Sequence, residues 1–150
     1  MTQRRILALL LCFLSTAAIA QDKGLWRAES QNAKSITGDI GIGELKISLN
    51  FKMFTIAQIR NLKPEEISSV FDADLNAGGS GSIYRLDIPG DFKLLRKNTL
   101  CGGQDTEYMV TYASGKELHI AFFSGSAIPK LTPEAMNGST DLCGTFTYVR

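Results

Sequence analysis

Residues 106–123, TEYMVTYASGKELHIAFF, decide the fold class. Tyr108, Val110 and Tyr112 fall on one face of an extended segment, and Leu118, Ile120 and Phe122 on one face of the next. Ser114-Gly115 supplies turn chemistry between them, so the stretch reads as a β-hairpin over Thr106–Tyr112 and Glu117–Phe123. The period of two continues in both directions. Glu44–Phe51 alternates Leu45, Ile47, Leu49 and Phe51 with Glu44, Lys46, Ser48 and Asn50, which places four apolar groups on one face. Ser82–Ile88 groups Tyr84, Leu86 and Ile88 opposite Arg85 and Asp87, and Pro89-Gly90-Asp91 turns the chain into a further segment, Phe92–Arg96. With Trp26–Ser30, Ser35–Ile40, Met53–Ile59 and Gly144–Val149 there are about nine extended segments, the spacing of an all-β antiparallel barrel or sandwich. The interior is expected from Leu45, Ile47, Leu49, Tyr108, Val110, Leu118, Ile120, Phe122 and Phe146.

One segment breaks the alternation. Pro64 suits a first helical turn, Glu65 and Glu66 sit at the positive end of the helix dipole, and Ile67, Val70 and Phe71 follow helical spacing, which predicts one short helix over 64–71. Asp72–Ser82, rich in glycine and asparagine, follows as a loop.

The first twenty residues read as a cleaved secretory signal: Arg4 and Arg5, an apolar run Ile6–Leu14, then Ala18-Ile19-Ala20 before the cut. The run is about half of what a membrane span needs. A lipoprotein signal would place a small residue before Cys12, and Leu11 stands there. Removing residues 1–20 takes away Arg4, Arg5 and Cys12. A single β domain over 21–150 remains, with 130 residues, net charge −1 and two cysteines. In an oxidising compartment Cys101 and Cys143 are expected to pair, closing a loop of 43 residues counted inclusively. That closure contributes about 4 kcal/mol in the chain-entropy model. The protein is therefore expected to be exported, to periplasm or medium, with no membrane anchor after cleavage.

Sixteen basic and fifteen acidic residues in 150 exclude a nucleic-acid binder held by bulk charge. Neither a phosphate-cradling loop nor a Gly-x-Ser-x-Gly elbow occurs. Asp72, Asp74 and Asn76 open like a calcium loop, but Ala77 and Ile83 stand where its glycine and its bidentate acid belong, and a solvated linker is the better reading. The two thiols lack Cys-x-x-Cys spacing, and His119, the single histidine, points away from Leu118, Ile120 and Phe122. Asn137-Gly138-Ser139 fits a glycosylation acceptor and, better, a turn. No catalytic, cofactor-binding or metal-binding residue is assigned, and no cofactor is expected.

Gly24-Leu25-Trp26 resembles the Gly-x-Trp opening of the lipocalins and related calycin barrels. That resemblance implies an up-and-down barrel whose mouth binds an apolar small molecule or whose surface inhibits an enzyme. It also implies a tryptophan that closes one barrel end against a late basic residue, here Arg150. The Thr-Asp-Tyr signature of that family is absent. Ser35–Ile40, Asn98–Gly102 and Leu142–Tyr148 are similar to segments of small exported bacterial proteins of no known activity.

The sequence thus points to an exported protein that acts by binding an apolar small molecule inside a β-barrel. A protein inhibitor or interaction module acting on a partner enzyme is the alternative. For the latter, Met109, His119 and Phe123, on the outward face of the 106–123 hairpin with Ala121, form the candidate interaction patch.

Overall fold

Eight antiparallel strands close into a barrel in chain order, each pairing with the next and the first with the last, in a computed structural model that describes residues 21–150. The segment expected to be a secretory signal, residues 1–20 with Cys12, lies outside the described residues. The strands are β1 (Gly24–Ala28), β2 (Ile40–Ile42), β3 (Lys46–Leu49), β4 (Lys52–Asn61), β5 (Ser80–Ile88), β6 (Thr106–Ser114), β7 (Glu117–Phe123) and β8 (Leu142–Val149). Closure rests on two register pairs, Arg27 with Val149 and Ala28 with Tyr148. The barrel, and not the sandwich, is the architecture, and its strands number eight.

An eight-stranded barrel is just wide enough for side chains to fill. Trp26, Ile47, Leu49, Ile56, Tyr84, Leu118, Ile120, Phe122, Phe146 and Tyr148 do so, each buried within one cluster. Ile47, Leu49, Leu118, Ile120, Phe122 and Phe146 take the interior places expected of them, and Tyr84, Leu86 and Ile88, expected to share a face, share it inside the barrel. Leu45 and Phe51 do not; they are 67% and 99% exposed. β3 is only four residues long, and the chain reverses through Asn50 and Phe51, both at positive φ (46° and 63°), as the tight turn between antiparallel strands demands.

The 106–123 hairpin is present, with Ser114 paired to Glu117 and Gly115-Lys116 as its two-residue loop. That register corrects the expected interior. In a two-residue hairpin, opposed residues sum to an odd number, so Tyr108 and Val110 share a face with Phe123 and Ala121, while Met109 shares one with Phe122. Met109, Leu118, Ile120 and Phe122 face inward. Tyr108, Val110, Ala121 and Phe123 instead form an outer cluster with Ile83, Val70 and Leu131.

Two helices are associated with this outer layer. α1 (Pro64–Phe71) spans the predicted segment and contributes Val70 and Phe71 to the cluster, while a second short helix, α2 (Pro133–Asn137), contributes Met136. At the start of α1 the Glu66 carboxylate accepts from the Lys63 amide at 2.9 Å and takes both Arg60 amino groups, at 2.7 and 2.8 Å. Asn137-Gly138-Ser139 ends α2 in a turn.

Two expected strands are helical turns. Over Ala33–Thr37 the chain makes one wide turn closed by the Gly38 amide on the Ala33 carbonyl (2.8 Å), and Leu95–Lys97 makes a tight one. Ser35 donates its hydroxyl to the Gln31 carbonyl at 2.8 Å, a local bond that competes with strand pairing. Asn98 then donates its amide to the Ser35 carbonyl, joining the two turns. Cys101 and Cys143 form the disulfide, with Cα atoms 4.8 Å apart, tying the β5–β6 connection to β8.

Candidate functional site

An open, mostly apolar groove arises where β1 changes partner. From Gly24 to Trp26 the strand pairs with β2; from Arg27 it pairs with β8. β1 and β2 part beyond Trp26, and the Ala28 amide, outside the β1–β2 ladder, donates to the Asp39 carboxylate at 2.9 Å. The helical turn Ala33–Thr37 lies in the connection between these two strands, and its last residue, Thr37, lines the opening. Below it, on the barrel's outside, runs an open groove of about 610 Å³ lined by Leu25, Arg27, Gly41, Phe51, Leu95 and Arg150, among others.

Each wall follows from the register. Leu25, Gly41, Ser48 and Met53 are consecutive cross-strand partners over β1–β4 and face outward together. Gly41 makes the floor: a Cβ there would lie 3.2 Å from a Leu25 methyl. Phe51 stands fully exposed at the β3–β4 turn, with Leu25 83% and Met53 53% exposed. Arg27 is exposed and forms no salt bridge among the described residues. At one end Arg150 lies over the buried Trp26 ring, 4.4 Å from its centroid, and donates to the Lys23 carbonyl at 3.2 Å. The late basic residue and the early tryptophan therefore do meet.

The barrel also contains a buried polar cluster. Asp22 is 4% exposed; one carboxylate oxygen accepts from Tyr84 (2.7 Å) and Thr111 (2.9 Å), and the other has no partner. Trp26 donates its indole N–H to the Asp22 carbonyl at 2.9 Å, and Lys23 donates to the Tyr84 hydroxyl at 3.1 Å. Burial, with the hydrogen bond and negative charge of Asp22, pushes the Tyr84 phenol well above its ordinary value. Tyr148, bonded to Thr37 at 2.7 Å, is pushed up by burial alone.

The expected patch of Met109, His119 and Phe123 is not a surface. Met109 is 0% exposed inside the barrel and Phe123 1% exposed in the outer cluster, so the three do not share an exposed face. His119 alone reaches the surface, on the outside of β7. Its ring lies 5.8 Å from Tyr112 and 5.9 Å from Phe71, with Nδ1 3.3 Å from the Thr147 hydroxyl. Asp72, Asp74 and Asn76 fall in the loop between α1 and β5. Among the described residues no group of three His, Cys, Asp or Glu side chains is arranged to hold a metal ion.

The groove was missed because the alternation at 44–51 assigns Phe51 to the core. Its one readable signal was Leu25, necessarily outward if Trp26 is inward. No protein-family model, curated protein or solved structure matches this chain.

Proposed function

We propose that this chain is an exported binding protein that engages its partner on the outside of the barrel, in the groove between β1 and β3. The carrying observation is that groove itself, with Leu25 and Phe51 standing 83% and 99% exposed beside it. The two line one groove together, and apolar groups gathered at one exposed place, unlike singly scattered ones, mark interaction sites. Large side chains pack the barrel interior, which argues against a ligand held there. The disulfide and the sequence of residues 1–20 support export. Arg27 adds an unpaired positive charge to apolar walls, so the groove suits an extended segment of a partner protein that carries apolar side chains and a carboxylate. A small apolar molecule bound between the same walls is the second reading, favoured by the lining of Leu25, Leu95 and Phe51.

Native mass spectrometry of the protein purified from its host's exported fraction, set against its denatured mass, tests both. A co-purifying protein that is lost in Phe51→Ser supports the proposal. A small-molecule adduct lost on denaturation and in the same variant establishes the second reading. A bare chain mass under native conditions overturns both.

A further inference from the structure

A second cleft, sharing no lining residue with the groove, lies between the end of α1, the outer face of β7–β8 and α2. It has a volume of about 500 Å³, within the range of small-ligand sites of about 300–1,000 Å³. Its polar lining comes from Ser68, Asp72, His119, Asn137, Thr145 and Thr147, and Phe71 supplies an apolar wall. Thr147 already bonds His119. The side chains of Ser68, Asp72, Asn137 and Thr145 make no hydrogen bond among the described residues.

Asp72 is the informative member. It follows the last residue of α1 in the left-handed conformation (φ 54°, ψ 32°), with its amide on the Ser68 carbonyl at 2.9 Å. Glycine or asparagine is usual at that position, because a side chain there is crowded by its own backbone. A carboxylate is disfavoured a second time, since it meets the negative end of the helix dipole. On both counts stability favours glycine, yet an acid stands there, free of protein partners and facing a cleft of hydroxyls and an amide.

We propose that this cleft binds a saccharide. Sugar hydroxyls donate and accept at once, matching one carboxylate, one amide and several hydroxyls, while Phe71, itself packed on Tyr112 and His119, gives the C–H groups of a sugar ring an apolar wall. A phosphorylated ligand would require lysine or arginine, and none lines the cleft. A bare divalent cation would require several acidic oxygens, and Asp72 is the single carboxylate in the lining.

His119 is the only histidine, so its ring gives one resolved NMR cross-peak beside the cleft. The purified protein is titrated separately with soluble oligomers of N-acetylglucosamine, of α-linked glucose and of mannose, and with butylammonium chloride. The expected result is a saturable shift of that peak with at least one saccharide. In Asp72→Gly that affinity falls at least ~10-fold, while the thermal midpoint rises by ~2–4 °C. Weakened binding in a better-folded variant cannot come from lost structure. The proposal is overturned if no saccharide shifts the peak at about 10 mM, a level that reveals even millimolar affinity. It is equally overturned if Asp72→Gly binds as well as the native chain, or if butylammonium alone shifts the peak. A midpoint lowered in Asp72→Gly would remove its premise.

Discussion

The guanidinium of Arg150 lies 4.4 Å from the centroid of the Trp26 ring and thereby joins the end of β8 to the first strand of the barrel. Trp26 is 1% exposed, so the cation meets an indole that is otherwise withdrawn from water. Arg150→Ala is expected to lower stability by about 1 kcal/mol, the worth of a partly desolvated cation–π contact. Arg150→Lys should fall between, because an ammonium keeps the charge and loses the broad guanidinium that packs over the ring. Denaturant unfolding followed by the emission of the sole tryptophan measures both. Equal midpoints for all three chains would show the contact to be energetically idle.

Alkaline pH should unfold the barrel from within. The phenols of Tyr84 and Tyr148 are both held above their ordinary value, first by burial and, for Tyr84, by Asp22. A raised folded value favours the protonated form. Each contribution is therefore complete below about pH 10, where the unfolded tyrosine titrates, and is lost as the pH climbs beyond it. The slope reaches about 1.4 kcal/mol per pH unit for each tyrosine. Thermal midpoints between pH 8 and 11 should fall less steeply in Tyr148→Phe than in the native chain, even if the variant starts lower.

Acid should act at a different place. The paired Arg60 guanidinium, with the Lys63 amide, holds the Glu66 carboxyl below the usual carboxylate range. A lowered folded value means that the contribution is present above about pH 4.3, the ordinary value, and disappears as the pH falls through the lowered one. Glu66→Gln is expected to cost about 0.5–1 kcal/mol at pH 7, the worth of the solvent-screened bidentate pair with Arg60, since glutamine keeps an oxygen for the Lys63 amide. The difference between variant and native chain should shrink as the pH drops below 4.3. Chemical denaturation at pH 7 and pH 3 decides it.

Reducing the Cys101–Cys143 bond should destabilise the fold by about 4 kcal/mol, since it frees a closed loop whose ends lie 42 positions apart. Intact mass should rise by about 2 Da on reduction, one hydrogen for each freed thiol. A Cys101→Ala/Cys143→Ala chain whose midpoint matched the oxidised protein would refute the estimate.

Strand alternation was legible where polar residues separate the apolar ones along a whole strand. In β5 the residues Tyr84, Leu86 and Ile88 have only one way to share a face, and they share it inside the barrel. It failed at Glu44–Phe51, where a four-residue strand and a reversal at Asn50–Phe51 mimic one eight-residue strand. It failed again on β6, where Tyr108, Met109 and Val110 are all apolar and the pattern alone does not say which face is inner. The register across Gly115-Lys116 was the missing datum, and it moves Met109 into the barrel and Tyr108 out. The groove was hidden for a related reason: it exists only because β1 passes from β2 to β8 at Arg27, a choice of neighbour that leaves no local trace.

By itself the sequence determined what local physics dictates: mainly antiparallel strands, a helix over Pro64–Phe71 and one pairing of the two cysteines left after residue 20. The tertiary structure alone decided closure into a barrel, the second apolar layer beneath the helices, and the two outer clefts. Periodicity marks which residues share a face, but whether that face meets a barrel interior, a covering helix or water depends on strand partners distant in the chain.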